Sequence, residues 1–134
     1  MQIFKTKNNI ISFLKNKRKD NIITGFVPTM GCLHEGHMHL INVAKKECKI
    51  VICSIFINPI QFNAKEDFDK YPRSLDEDIK KLSLAKCDVL YAPEITDLYE
   101  KDEKEKSYNF NGLDTLMEGE YRGSHFNGVA TVLE

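Results

Sequence analysis

At 134 residues, with 42% apolar and 29% charged side chains, the chain has the make-up of one soluble globular domain large enough for a real core. A net charge of −1 supplies no basic field for nucleic acid, although a local site can still hold a small anion. Lysines interrupt the apolar residues at the N-terminus, which excludes a signal peptide or membrane span there and points to the cytoplasm.

Residues 7 to 18 space Ile10, Ile11, Phe13 and Leu14 as an amphipathic helix does. Residues 22 to 27 (IITGFV) read as a buried strand that Pro28 ends, since proline cannot donate to a sheet ladder. A turn through Gly31 leads into a helix from about Glu35 to Lys46. The nearly all-apolar run 49 to 57 (KIVICSIFI) reads as a strand covered on both faces and stopped at Asn58-Pro59. Strand, helix and strand with short links make a βαβ unit, so the two strands should run parallel. Ser74 and Glu77 fit a capping box opening a helix to about Ala85, and residues 87 to 92 read as a further strand closed by Pro93. Residues 99 to 108 (YEKDEKEKSY) read as a solvated loop or hairpin edge. The last residues, HFNGVATVLE, read as a β-prone apolar stretch without cap or polar tail, so the chain looks cut short.

Cys32, Cys48, Cys53 and Cys87 form no C-x-x-C pair and match no zinc spacing. Three lie in or beside apolar runs as small buried hydrophobes, which suits a reducing compartment, whereas Cys32 sits in the turn after the first strand.

That turn holds His34-Glu35-Gly36-His37, where a parallel strand hands over to a helix. Nucleotides bind at such places in α/β proteins, because helix N-terminal amides and the helix dipole favour phosphate. Histidines three apart on the first turn share a side of the helix and can donate to a triphosphate. Beside phosphate their pKa should rise, allowing them to stabilise charge on a leaving pyrophosphate. Gly31 permits the sharp turn, and Gly36 leaves room for a ring or phosphate. The same residues also fit a plainer reading, with one histidine capping the helix and the other packed in the core.

Asn58 and Gln61 (INPIQF) follow the second strand, hence the same sheet edge. Neutral amides there suit hydroxyls and carboxylates, and Pro28, Met30, Phe56 and Phe62 offer an apolar wall. Asn58-Pro59 alternatively makes only a turn. Arg73 could hold a carboxylate but reads better as a surface residue opening the helix. Arg122 and His125 bring two groups able to meet phosphate, or form an ordinary loop.

The strings VPTMGCLHEGH, SIFINPIQF, EDFDKYPRSLDEDIKKL and MEGEYRGSHFNGVATV, in this order along nearly the whole chain, resemble the pantothenate synthetases. These are the pantoate–β-alanine ligases of the H-x-G-H nucleotidyltransferase superfamily. The resemblance implies an α/β fold of nucleotidyltransferase type, a Rossmann-like parallel sheet with helices on both faces. It implies ATP and Mg2+ as cofactors and condensation of pantoate with β-alanine through a pantoyl adenylate, giving pantothenate, AMP and pyrophosphate. Under it, Met30, Gly31, Cys32, Leu33, His34, Glu35, Gly36 and His37 bind ATP. His37 is the catalytic histidine and His34 its phosphate-binding neighbour. Gln61, Met30, Pro28 and Asn58 serve pantoate and β-alanine, and no residue is assigned to metal. It also implies a homodimer with small-molecule substrates and with neither nucleic acid nor membrane as partner.

Cys32 stands where the family usually has a small residue such as Ala, and Gly123-Ser124 replaces a Pro-Gly. The family continues with a G-x-K-D segment and a small C-terminal domain. Residues 1 to 134 therefore read as an N-terminal nucleotide-binding domain, truncated, and inactive as a synthetase alone. Two other readings remain: another H-x-G-H nucleotidyltransferase, whose phosphorylated substrate would call for a base where Gln61 stands, or a module that only binds or dimerises.

Overall fold

The computed structural model describes residues 1–99, 107–116 and 125–134. The chain divides into two compact units, one of residues 1–56 and 72–98, the other of 57–71 and 99–134.

The first unit is built on four parallel strands, β1 (Gln2–Phe4), β2 (Thr24–Thr29), β3 (Ile50–Ile55) and β4 (Val89–Tyr91), in the order β1-β4-β3-β2. Its helices are α1 (Lys7–Lys19), α2 (Glu35–Glu47), α4 (Leu75–Leu84) and the short α5 (Ile95–Leu98). The β2-α2-β3 unit is present, with its strands parallel as the pattern requires. Neighbouring residues of a strand face opposite sides of the sheet, and the core divides accordingly. Val51, Cys53 and Leu90 join Leu33, Ile41 of α2 and Leu82 of α4 in one cluster. Ile52 and its register partner Val89 pack instead with Ile10 of α1. Both faces are thus covered, which explains the unbroken apolar run of β3.

Two expectations for this unit need correction. The strand containing Pro28 does not stop there but runs on to Thr29. In a parallel ladder alternate residues address the same neighbour. Ile23 and Thr29 accept from β3 through their carbonyls, so Pro28 points its missing donor away from β3 on an edge strand. Ser74 caps no amide with its side chain: its hydroxyl donates to Asp78 at 3.3 Å, and the Ser74–Glu77 capping box does not form. Strand β1, which the sequence reading left unassigned, pairs in parallel with β4, with Ile3 opposite Leu90 and Phe4 opposite Tyr91.

The second unit contains a 3-10 turn (Pro59–Gln61), α3 (Lys65–Lys70), a second 3-10 turn (Leu113–Thr115) and α6 (His125–Leu133). Helix α6 replaces the strand expected from HFNGVATVLE. Its Gly128 lies so close to the chain at Gln61 that a Cβ there would stand 2.4 Å from the Gln61 Cα, and Thr131 donates to the Asn127 carbonyl at 2.7 Å. Packing at Gly128 outweighs the β preference of the valines. Residues 100–106 of the charged segment, and Arg122, lie outside the described residues. Among the described residues no helix is long and apolar enough to cross a membrane.

Candidate active site

The loop from β2 to α2 is shaped by two consecutive residues in the left-handed region, Gly31 at φ +85° and Cys32 at φ +50°. Such a pair turns successive amides the same way and makes a concavity that suits an anion. Here the anion is a side chain of the protein. Asp78 on α4, 1% exposed, accepts from the amides of Cys32 at 2.9 Å and Leu33 at 2.8 Å. A Cβ on Gly31 would stand 3.0 Å from the same carboxylate, so both the backbone angle and the space call for glycine. One turn further along α4, Lys81 donates to the Leu33 carbonyl at 2.7 Å. The Cys32 thiol lies 3.6 Å from the Pro72 carbonyl and 3.5 Å from the Ser74 hydroxyl, which fastens it to the start of α4.

Both histidines cap α2. The Gly36 amide donates to Nδ1 of His34 at 3.1 Å, and the His34 amide donates to Nδ1 of His37 at 3.2 Å. The rings lie 4.1 Å apart, tilted by 47°. Gly36 makes room for the His34 ring, which a Cβ would meet at 2.9 Å. Neither histidine is a core residue: His34 is exposed and His37 half-buried. The helix amides expected to meet phosphate are therefore already taken at His34 and Gly36.

A backbone N–H can only donate, so each Nδ1 must be an unprotonated acceptor. In the neutral ring the proton then sits on Nε2. Burial lowers the His37 pKa first, the neighbouring His34 lowers it further, and Asp78 opposes both. His37 therefore begins neutral, with Nε2–H as its donor. A phosphate placed against that N–H would draw the pKa back up.

Asn58 and Gln61 lie in the second unit. Asn58 is wholly buried, donates to the Gln61 Oε1 at 3.1 Å and the Gly128 carbonyl at 2.9 Å, and accepts from the Ile60 amide and the Tyr99 hydroxyl. Its hydrogen-bonding capacity is thereby filled. Gln61, with Oε1 occupied by Asn58, has Nε2–H left to offer a ligand. His125 reaches the Gln61 carbonyl through Nδ1 at 3.2 Å rather than pointing to a phosphate. Of the apolar wall, Pro28 is exposed, Met30 half-buried and Phe56 buried. Phe62 stacks edge-on with Phe68 and Tyr71 in the second unit. Arg73 is exposed before α4.

The sequence reading missed Asp78 and Lys81. The signal was present: in LDEDIKKL an acid occupies the apolar stripe of Leu75, Ile79 and Leu82. Such an acid must find donors in the core. A groove of about 800 Å3 between α2 and α4 is lined by Glu35, His39 and several lysines but by neither catalytic candidate. The imidazole geometry, and not that groove, defines the candidate site. Among the described residues no group of three or more His, Cys, Asp or Glu side chains could hold a metal ion.

A sequence model of the pantoate-beta-alanine ligase family matches residues 2–134. The chain belongs to that family. Curated pantothenate synthetases similar to it include one from Christiangramia forsetii, 43% identical over all of this chain and 48% of the relative. Another, from Aquifex aeolicus, is 45% identical over 98% of this chain and 46% of the relative. Among solved structures, the pantothenate synthetase of Thermus thermophilus matches 99% of this chain and 46% of its own, with 37% identity and a TM-score of 0.82. The pantoate-beta-alanine ligase of Francisella tularensis, solved with beta-gamma ATP and beta-alanine, matches 99% of this chain and 51% of its own, with 38% identity and a TM-score of 0.85. The chain thus spans about half the length of the ligase-family proteins it matches. Its four-stranded parallel sheet flanked by helices is the α/β arrangement expected for the family.

Proposed function

We propose that residues 1–134 supply the N-terminal, nucleotide-binding domain of a pantothenate synthetase. The observation that carries this reading is the histidine pair: two neutral imidazoles fixed by backbone amides, each with Nε2–H left to donate. The structure of the Francisella ligase with beta-gamma ATP and beta-alanine supports it.

In the first step, a carboxylate oxygen of pantoate attacks the α-phosphorus of ATP, the bond to the β-phosphate oxygen breaks, and pyrophosphate leaves. His37 and His34 donate through Nε2–H to the phosphate oxygens on which charge grows, with His37 the catalytic residue. The loop Met30 to His37 forms the ATP-binding segment. Its Cys32 and Leu33 amides are held by Asp78, so the imidazoles carry the contact to phosphate. In the second step the β-alanine amine attacks the acyl carbon and AMP leaves. Gln61 serves pantoate through Nε2–H, Asn58 contributes by holding the Gln61 amide, and Pro28 and Met30 give apolar contact to the gem-dimethyl group. Mg2+ enters with the triphosphate as part of the substrate, since it commonly keeps its waters and binds through phosphates. The free thiols fit a reducing cytoplasm, and the family resemblance adds a homodimer.

Calorimetry with MgATP tests the site. The folded chain should bind nucleotide, and His37→Ala should weaken binding without lowering the melting temperature by more than a few degrees. A folded chain that ignores MgATP overturns the reading. Assayed alone with ATP, pantoate and β-alanine, the 134-residue chain should release little AMP, because neutralising the leaving pyrophosphate needs more cations than this loop presents. Turnover at the rate of a relative of twice the length would refute that expectation. Light scattering decides the homodimer.

A further inference from the structure

We propose that Lys81 is a positioning residue for His37, acting through the single peptide group between Leu33 and His34. Lys81 donates to the carbonyl of that peptide at 2.7 Å. The N–H of the same peptide donates to Nδ1 of His37 at 3.2 Å. The ammonium and the imidazole thus sit at opposite ends of one planar, polarisable unit. A cation on the carbonyl draws electron density from the amide and makes its N–H a stronger donor, as in other linked hydrogen-bond chains. A stronger N–H donor fixes Nδ1 as the acceptor and keeps the proton of the neutral ring on Nε2.

Asp78 keeps the unit in place from the other side. It accepts the Leu33 N–H while Lys81 takes the Leu33 carbonyl, so α4 holds both polar groups of one residue from positions a single turn apart. The Leu33 side chain, 1% exposed, anchors that residue in the core. The peptide plane therefore has little freedom to rotate, and the orientation of the His37 ring follows from it. Lys81 needs no contact with substrate for this role. Only its consequence for catalysis rests on reading the loop as a nucleotide site; the hydrogen-bond chain itself does not.

The test is nitrogen-15 NMR of the full chain at a pH above 6.5, comparing wild type with Lys81→Met, Lys81→Arg and the neighbouring control Lys80→Met. Exchange of the His34 amide should quicken about fivefold to tenfold in Lys81→Met, the scale of one hydrogen bond. The His37 ring nitrogens should lose the signature of an unprotonated Nδ1 and protonated Nε2. Lys81→Arg, which keeps charge and donors, should restore both signals, and Lys80→Met should leave them unchanged. The Leu33 amide, held by Asp78, serves as the internal reference and should stay protected throughout. Unchanged His34 and His37 signals in Lys81→Met would overturn the proposal. Loss of Leu33 protection together with His34 would do so too, because it would mean the loop had simply come away from α4. MgATP calorimetry on the same samples is read separately: a wild type that shows the relay but binds no nucleotide keeps the proposal and rejects the functional reading.

Discussion

His37 shows how one side chain carries both a structural and a chemical task. Its Nδ1 caps the backbone of His34, which requires the ring to be unprotonated at that atom, and burial with the neighbouring His34 lowers its pKa. The native state therefore binds a proton at His37 less readily than the unfolded chain, whose histidine titrates near 6.5. Its contribution to stability is full above pH 6.5 and is lost as pH falls through the lower folded value. His37→Gln should remove this component, so melting temperatures of the two proteins, followed from neutral to mildly acidic pH, should converge. Parallel curves across that range would show that the ring is not held neutral by the fold. Asp78 is the complementary case, a carboxylate whose burial is supported by two amides and a hydroxyl. Asp78→Ala leaves two loop amides without partners and should cost about 1–3 kcal/mol for each that stays buried, measured by urea unfolding.

At the level of elements, α6 shows why local preference misled. Val129, Val132 and Thr131 favour a strand taken alone, but residues 125–133 wind as a helix whose Gly128 rests on the backbone at Gln61. A glycine inside a helix costs about 1 kcal/mol relative to alanine, so propensity argues for Gly128→Ala. Packing argues the other way: the added methyl would sit 2.4 Å from Cα and 2.7 Å from the amide nitrogen of Gln61, both backbone atoms that cannot swing aside. Overpacking of this kind costs about 1–3 kcal/mol, so the clash should win. Gly128→Ala should lower stability and also disturb Asn58, which donates to the Gly128 carbonyl. A stabilised variant would show that helix propensity dominates. Helix α4 teaches a related lesson, since Asp78 and Lys81, two of its several polar residues, bind a loop distant in sequence.

Over the whole molecule, the thiols offer a readout of folding. Cys53 is fully buried, and burial, with Cys87 nearby, pushes its pKa up to about 12. Burial raises Cys87 as well. Cys32 and Cys48 are half-exposed. A thiolate-directed alkylating reagent at mildly alkaline pH should modify Cys32 and Cys48 in the native protein and reach Cys53 and Cys87 only on unfolding. Mass spectrometry of the labelled peptides checks the order, and early labelling of Cys53 would mean that the sheet opens locally.

Much of this protein was legible in its residue order. The uninterrupted apolar run of β3 announced a strand covered on both faces, and the histidine loop between strand and helix marked a candidate nucleotide site of the ligase family. Those features are local: strand burial, turn chemistry and motif spacing are written over a few neighbouring residues. Other features depended on residues distant in the chain. Only the fold revealed that Pro28 could stay in an edge strand, that Gly128 needed a helix against Gln61, and that Asp78 and Lys81 held a loop more than forty positions away. A buried carboxylate must find donors wherever the chain brings them, so residue order can show that Asp78 needs partners but not which. Nor can it show which ring nitrogen keeps the proton at His37, because that is set by one amide N–H and its direction in space.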